Sequence, residues 1–164
     1  MIERFANPIM TELPLGYPGK LYRSPMPFSS YDHNNSLYTS ITSEDISVIV
    51  LLAEDEECLE KTGRDLRAFY LRQGMQVIYL PIQDFSIPEI APLEDAAGEA
   101  LNYLRSGVNV LVHCHAGIGR TGTFSACLVK RALGVRGHEA IEWVRDKVPG
   151  ALETPEQIKL VLDF

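Results

Sequence analysis

Cysteine is scarce in this chain of 164 residues: there are three, at 58, 114 and 127, an odd number without the spacing of a zinc site. That usage suits a reducing compartment. Long apolar runs are missing too. The longest, around Ile46 to Ala53, falls far short of the about 20 residues that span a bilayer. The start, Met-Ile-Glu-Arg-Phe-Ala-Asn-Pro, has neither the basic opening nor the apolar stretch of a secretory signal, and no lipidation box closes the chain. A cytoplasmic protein with no membrane partner is therefore expected. Positive charge is in deficit, at a formal net −7, which argues against nucleic acid as a partner. Internal repeats and low-complexity tracts are not apparent.

What is present suits one domain spanning residues 1–164, since 46% hydrophobic content over this length can bury a proper core. Pro8, Pro14, Gly16 and Pro18 punctuate residues 1–19, expected to form an irregular wrap with short strands at most. Strand-like runs follow at Lys20 to Pro27, where Pro25 stops or edges the strand, at Ile46 to Leu52, Met75 to Pro81 and Val110 to Val112. Residues 28–40, rich in Ser, Asn and Tyr, read as a loop able to rim a pocket, with Thr42 or Ser43 capping a short helical turn after it. Helical periodicity covers Glu54 to Arg72, 89–105, Arg120 to Leu133, Gly137 to Lys147 and Thr154 to Asp163. The β-α-β-α-β rhythm predicts an α/β fold with a central, mostly parallel sheet of four to five strands flanked by helices.

The chemistry concentrates in residues 109–123, Asn-Val-Leu-Val-His-Cys-His-Ala-Gly-Ile-Gly-Arg-Thr-Gly-Thr. A buried strand ends at Cys114, and a helix opens beyond Arg120. Gly117 and Gly119 let backbone N–H groups converge on an anion, the helix N-terminus adds its positive end, and Arg120 can grip two oxygens at once. The same field favours a thiolate, since a thiol of ordinary pKa about 8.5 falls to about 3.5–7.5 in such surroundings. Thr121 is placed to donate its hydroxyl to that sulfur, and His113 to support the loop from behind. Residues 120–147 also hold six Lys or Arg (120, 130, 131, 136, 145, 147) against three acids (139, 142, 146), a local balance that attracts anions. Gly117, Gly119 and Gly122 equally satisfy the dinucleotide fingerprint Gly-x-Gly-x-x-Gly. That reading wants an acid ending a second strand about 20 residues on. Glu139 and Glu142 lie in range, but on a helical stretch with little chain left.

This stretch resembles the signature loop of the cysteine-dependent protein tyrosine and dual-specificity phosphatases, His-Cys-(five residues)-Arg-(Ser/Thr), with His113, Cys114, Arg120 and Thr121 in place. The resemblance runs over roughly residues 75 to 160 and is most specific at 113–122. It implies the protein tyrosine phosphatase-like fold and a catalytic set of Cys114, Arg120 and Asp84. His115, Ala116, Gly117, Ile118, Gly119, Arg120 and Thr121 would bind the substrate phosphate, with His113, Thr121 and Gln157 in support. No metal and no cofactor is implied.

Asp84 sits in a polar loop, Gln-Asp-Phe-Ser-Ile-Pro-Glu, thirty residues before Cys114, where the family keeps its general acid. The other readings are a turn residue or helix cap at Asp84, and Glu89 as the acid. Pro149 to Gln157 is similar to the Arg-Pro-Gly-Ser-(apolar)-Glu-Thr-x-x-Gln segment of small dual-specificity and Cdc14-like members, departing from it at Val148 and Ala151. It implies Gln157 as a water-placing residue and Glu153 at the pocket rim. A plain capping box of Thr154 and Gln157 is the alternative. Arg23 reads as a structural ion-pair partner, the run Glu54 to Glu57 as a solvated helix start rather than a metal site, and Cys127 as core. Cys58 would matter only as a disulfide partner of an oxidised Cys114.

The expected function is hydrolysis of phosphate monoesters on proteins, phosphotyrosine first and phosphoserine or phosphothreonine after it, through a phosphocysteine intermediate. The partner is a phosphorylated protein or peptide, and the protein a monomer. A phosphoinositide phosphatase or RNA 5′-triphosphatase using the same loop, or a silent phosphoprotein-binding module, are the alternatives.

Overall fold

Alternation along the central strands decides the architecture. In the computed structural model, which describes residues 9–164, five strands form one sheet: β1 (Thr11–Leu13), β2 (Leu21–Ser24), β3 (Ile46–Leu51), β4 (Gln76–Tyr79) and β5 (Asn109–His113), in the order β1-β2-β5-β3-β4. Only the β1–β2 pair is antiparallel. Val48, Val50, Val110 and Val112 point to one face, under α4 (Ile90–Arg105), α5 (Gly119–Leu133), α6 (Gly137–Lys147) and α7 (Pro155–Asp163). Ile49, Leu51 and Leu111 point to the other, under α1 (Leu37–Ser43), α2 (Asp55–Thr62) and α3 (Leu66–Arg72). The α/β reading with a mostly parallel sheet is borne out.

β5 occupies the middle, its Leu111 paired with Tyr22 on one side and Ile49 on the other. Both faces of β5 are covered, which is why it reads as an unbroken apolar run. Residues leaving its carboxyl end emerge where the strand order reverses, the position where open α/β sheets bind ligands. Cys114 is the first residue past that end.

Three expectations change. The stretch Glu54 to Arg72 is two helices, because Gly63 at φ +70° closes α2, donating its N–H to the Leu59 carbonyl (2.8 Å), and Asp65 caps α3 through the Ala68 N–H (3.1 Å). Leu59, expected as an apolar anchor of that helix, is exposed, whereas Leu66 and Tyr70 are fully buried. Residues 28–40 are also less open than a loop: a 3₁₀ turn at His33–Asn35 leads into α1, which buries Leu37 and Ile41 one turn apart. Of the expected wrap at 1–19, residues 1–8 lie outside the described residues, and Thr11–Leu13 pairs with β2. Among the described residues no helix is long and apolar enough to cross a membrane.

Candidate active site

The loop from Cys114 to Arg120 turns its carbonyls inward and its amides outward. On the inner side, the His115 carbonyl accepts the Met26 N–H (2.8 Å), the Gly117 carbonyl accepts Arg23 Nη2 (2.7 Å), and the Ile118 carbonyl accepts the N–H groups of Gly122 (3.0 Å) and Leu152 (3.2 Å). Their N–H partners point the other way across the peptide planes: the amides of His115, Ala116, Ile118, Gly119 and Arg120 have no protein acceptor among the described residues. Such an array is a preformed anion nest at a helix N-terminus. Gly117 adopts φ +78°, a conformation that side-chain-bearing residues rarely take, with Arg23 and Ser24 packed against its α-carbon.

Cys114 is 2% exposed, and its Sγ accepts two hydrogen bonds, from Thr121 Oγ1 (3.0 Å) and from the Gly117 N–H (3.3 Å). Behind the sulfur, fully buried His113 bridges two groups: its Nδ1 lies 3.0 Å from the Cys114 carbonyl and its Nε2 2.8 Å from the Tyr70 hydroxyl. A carbonyl only accepts, so Nδ1 carries the proton and Nε2 accepts from Tyr70. Burial, with Arg120 adding to it against the hydrogen bond to Cys114, pushes the imidazole pKa down to about 4. His113 is thus a neutral brace.

Arg120 is held on three sides. Its Nη1 and Nη2 chelate Glu57 (2.7 and 2.9 Å), Nη1 also donates to the Ile82 carbonyl (2.9 Å), and Nη2 lies 3.2 Å from Asp84 Oδ1. Burial by itself lowers the guanidinium pKa, but the Glu57 hydrogen bonds, the Cys114 sulfur and Asp84 together carry it above its ordinary value. Asp84 stands at the mouth, about half exposed, and its Oδ1 also accepts the Phe85 N–H (2.9 Å). So the turn reading and the pocket position of Asp84 hold together. Phe85 takes φ +62°, a strained conformation for a bulky residue, with its ring exposed.

A pocket of about 100 Å³ results, lined by Cys114, His115, Ala116, Gly119 and Arg120 below and by Asp84, Phe85, Tyr31 and Glu153 around the rim. Tyr31 packs edge-on against His115, ring centroids 4.9 Å apart. Gln157 is fully buried and completes the capping box with Thr154, yet it does more: its Nε2 donates to the Ser86 carbonyl (3.3 Å), tying α7 to the Asp84 loop above Gly119.

The structure therefore brings Cys114, Arg120 and Asp84 together, with His113, Thr121 and Gln157 around them, leaves Glu89 outside the pocket lining at the start of α4, and adds others. Glu57, expected as part of a solvated helix start, has a side chain only 15% exposed and chelates Arg120. Four consecutive acids give no sign of which one turns inward. Arg23 pairs with carbonyls of Gly117 and Ile9 and with no carboxylate among the described residues, so the ion-pair reading is corrected. Tyr31 and Phe85 carry no sequence signal beyond an aromatic residue in a loop. Cys58 is a buried free thiol, pushed up to about 12 by burial, then by Glu57, Asp55 and Asp65. Gly117 donates its N–H to the Cys114 sulfur, Gly119 abuts Glu153 and Gln157, Gly122 abuts Ala151 and Leu152, and no strand follows α5 to carry the acid, which removes the dinucleotide reading.

A buried cysteine sulfur at a helix N-terminus, just past the central parallel strand of a five-stranded sheet and close to a buried arginine, is the arrangement of a cysteine-dependent phosphatase of the tyrosine and dual-specificity class. Comparison with known proteins agrees. Residues 28–132 match the family described as "Polymorphic toxin system, DSP-PTPase phosphatase", and the chain belongs to this dual-specificity phosphatase family. Protein tyrosine phosphatase domain-containing protein 1 of Mus musculus is 30% identical over 95 residues, 58% of this chain and 13% of that protein. Dual specificity protein phosphatase CDC14C of Symphalangus syndactylus is 25% identical over 95% of this chain and 30% of its own length. The chain thus spans a minor part of these curated relatives. Among solved structures, Tk-PTP in its active form is 30% identical with a TM-score of 0.74, covering 93% of this chain and 94% of that one. Kinase associated phosphatase shares the fold at a TM-score of 0.85 and 24% identity, over 97% and 95%.

Proposed function

We propose that this protein hydrolyses phosphate monoesters on phosphorylated proteins or peptides, phosphotyrosine in the first place, through a phosphocysteine at residue 114. The carrying observation is the meeting of Cys114, four residues with unpartnered amides (His115, Ala116, Gly119 and Arg120) and the Arg120 guanidinium at one small pocket with Asp84 at its lip. The sulfur attacks phosphorus as the ester oxygen departs, and Asp84 hands that oxygen a proton. The loop amides bind the equatorial oxygens, and Arg120 joins them through Nη2 as Asp84 leaves it for the ester oxygen. Water then attacks the phosphocysteine, Asp84 accepts its proton, and the sulfur leaves as a thiolate received by Thr121 Oγ1 and the Gly117 N–H. Gln157 and Glu153 lie beside Gly119, where that water must approach.

Phosphotyrosine is favoured by the rim. Tyr31 is 46% and Phe85 59% exposed, and both line the pocket, so an aryl ring projecting from a bound phosphoryl group meets two aromatic side chains. Among the described residues lining the pocket there is no lysine and, besides Arg120, no arginine for a second phosphate. That weighs against a phosphoinositide or an RNA 5′-triphosphate. The deciding experiment is acid quenching of the protein with a ³²P-labelled phosphotyrosyl peptide, beside phosphoinositide vesicles and 5′-triphosphorylated RNA. Label on Cys114 and fastest turnover of the peptide are expected. Phosphate release with residue 114 unlabelled removes the mechanism, and faster turnover of lipid or RNA removes the substrate assignment.

A further inference from the structure

Next to the phosphate pocket lies a second and larger hollow, of about 400 Å³, between the start of α4 and the length of α7. Its apolar surface comes from Ile87, Ile90, Leu160 and Phe164. Ile87 is 40% and Ile90 48% exposed, so two large aliphatic side chains face water where nothing in the fold requires it. The two hollows are lined from neighbouring positions of the same two chain segments. Phe85 lines the pocket and Ile87 the groove; Glu153 lines the pocket and Glu156 the groove. At no more than about 3.6 Å per residue, the two or three residues of backbone between these lining positions span at most about 7 to 11 Å. An extended peptide covers that in two or three residues.

Charge narrows the occupant. Four charged residues line the groove, three of them acidic. Glu94 is engaged by Arg131 (2.9 Å), and Asp163 by Lys159. Glu156 has no cationic partner among the described residues, nor has Glu153 on the pocket side. A path that is apolar at its floor and negative along its α7 edge suits a large apolar side chain accompanied by a lysine or arginine.

We infer that the groove between α4 and α7 is a substrate-binding subsite: it holds the part of a phosphopeptide two or three residues from the phosphorylated position, selecting a large apolar residue next to a basic one. This rests on the phosphoprotein reading of the pocket, and it predicts which phosphopeptides the enzyme prefers.

Binding is the direct test, since it does not depend on turnover. Fluorescence anisotropy with Cys114→Ser protein compares phosphotyrosyl peptides bearing Leu-Arg, Ala-Ala or Asp-Asp at two and three residues from the phosphotyrosine, on either flank. The Leu-Arg peptide is expected to bind about tenfold more tightly than Ala-Ala on one flank, the yield of burying part of one aliphatic side chain, with Asp-Asp weakest. Adding Ile90→Ser or Glu156→Lys to Cys114→Ser should remove that preference. p-Nitrophenyl phosphate is too short to reach the groove, so Ile90→Ser and Glu156→Lys with Cys114 intact should turn it over at the wild-type rate. Equal binding of all three peptides, or a preference that survives both substitutions, overturns the subsite. Sedimentation equilibrium showing a dimer that Ile90→Ser dissociates also overturns it, by giving the groove to a second copy of the chain. Loss of p-nitrophenyl phosphate turnover in unmodified protein would instead strike the catalytic reading, leaving the peptide ranking as a separate result.

Discussion

The two faces of the Cys114–Arg120 loop are opposite in character. The front offers amides, a sulfur and a guanidinium to the pocket, almost all of them waiting for a partner or held by groups that a substrate can displace. The back is saturated: carbonyls of residues 114, 115, 117 and 118 each accept at least one hydrogen bond, from His113, Met26, Arg23, and Gly122 with Leu152. One face needs the other. Amides can point outward without water only if the carbonyls of the same peptides are satisfied inward. Front substitutions should therefore remove catalysis and spare stability, and back substitutions the reverse.

The sharpest break of that symmetry is Cys114→Ser, expected to cut kcat by about 10⁴-fold or more while leaving the urea midpoint near wild type, since the two side chains are close in size. Asp84→Asn comes next, at about 10²–10⁴-fold. The loss should be larger for phenyl phosphate than for p-nitrophenyl phosphate, because the better leaving group has less need of a proton. Equal losses on both would remove the general-acid role. Glu57→Gln tests the junction between the faces: Arg120 keeps its charge but loses its chelating partner, and misplacement of the guanidinium costs up to about 10²-fold in kcat/KM. Wild-type kinetics in this variant would mean that Ile82 and Asp84 alone position the arginine.

At the back, Arg23→Met deletes the hydrogen bonds to Gly117 and Ile9 and should lower unfolding free energy by about 2–3 kcal/mol in urea titrations. The smallest effect is a pH dependence. His113 has its pKa depressed from 6.5 to about 4 by burial, so the unfolded chain binds its proton first. The contribution to stability is complete above pH 6.5 and is lost as pH falls from 6.5 through 4, amounting to about 2 kcal/mol by pH 5. His113→Gln should be less stable at neutral pH yet flatter over that window. An unchanged slope would mean that His113 is not the titrating group.

Much of this is legible in the amino-acid order alone. Alternating Val and Leu in β3 and β5 announce a doubly covered strand, and the Cys-(five residues)-Arg spacing with glycines announces an anion loop, because both depend on neighbours in the chain. Glu57, Arg23, Tyr31 and Phe85 are not legible in the same way. Each reaches the loop from at least 29 positions away, and its sequence surroundings suit an exposed residue as well as a buried one. The break at Gly63 lies between these cases, since Thr-Gly-Arg-Asp contains both the stop and the next cap but competes with strong helical propensity on either side.

By itself, the sequence determined the alternation of strands and helices that builds the parallel sheet, and the glycine-rich turn from Cys114 to Arg120. These are properties of short stretches, set by periodicity and by which residues a tight turn tolerates. Only the tertiary structure decided which carboxylate grips Arg120, which arginine seals the back of the loop and where an apolar groove opens beside the pocket. Those choices depend on groups brought within 3 Å of each other across scores of residues, and burial changes what each of them costs.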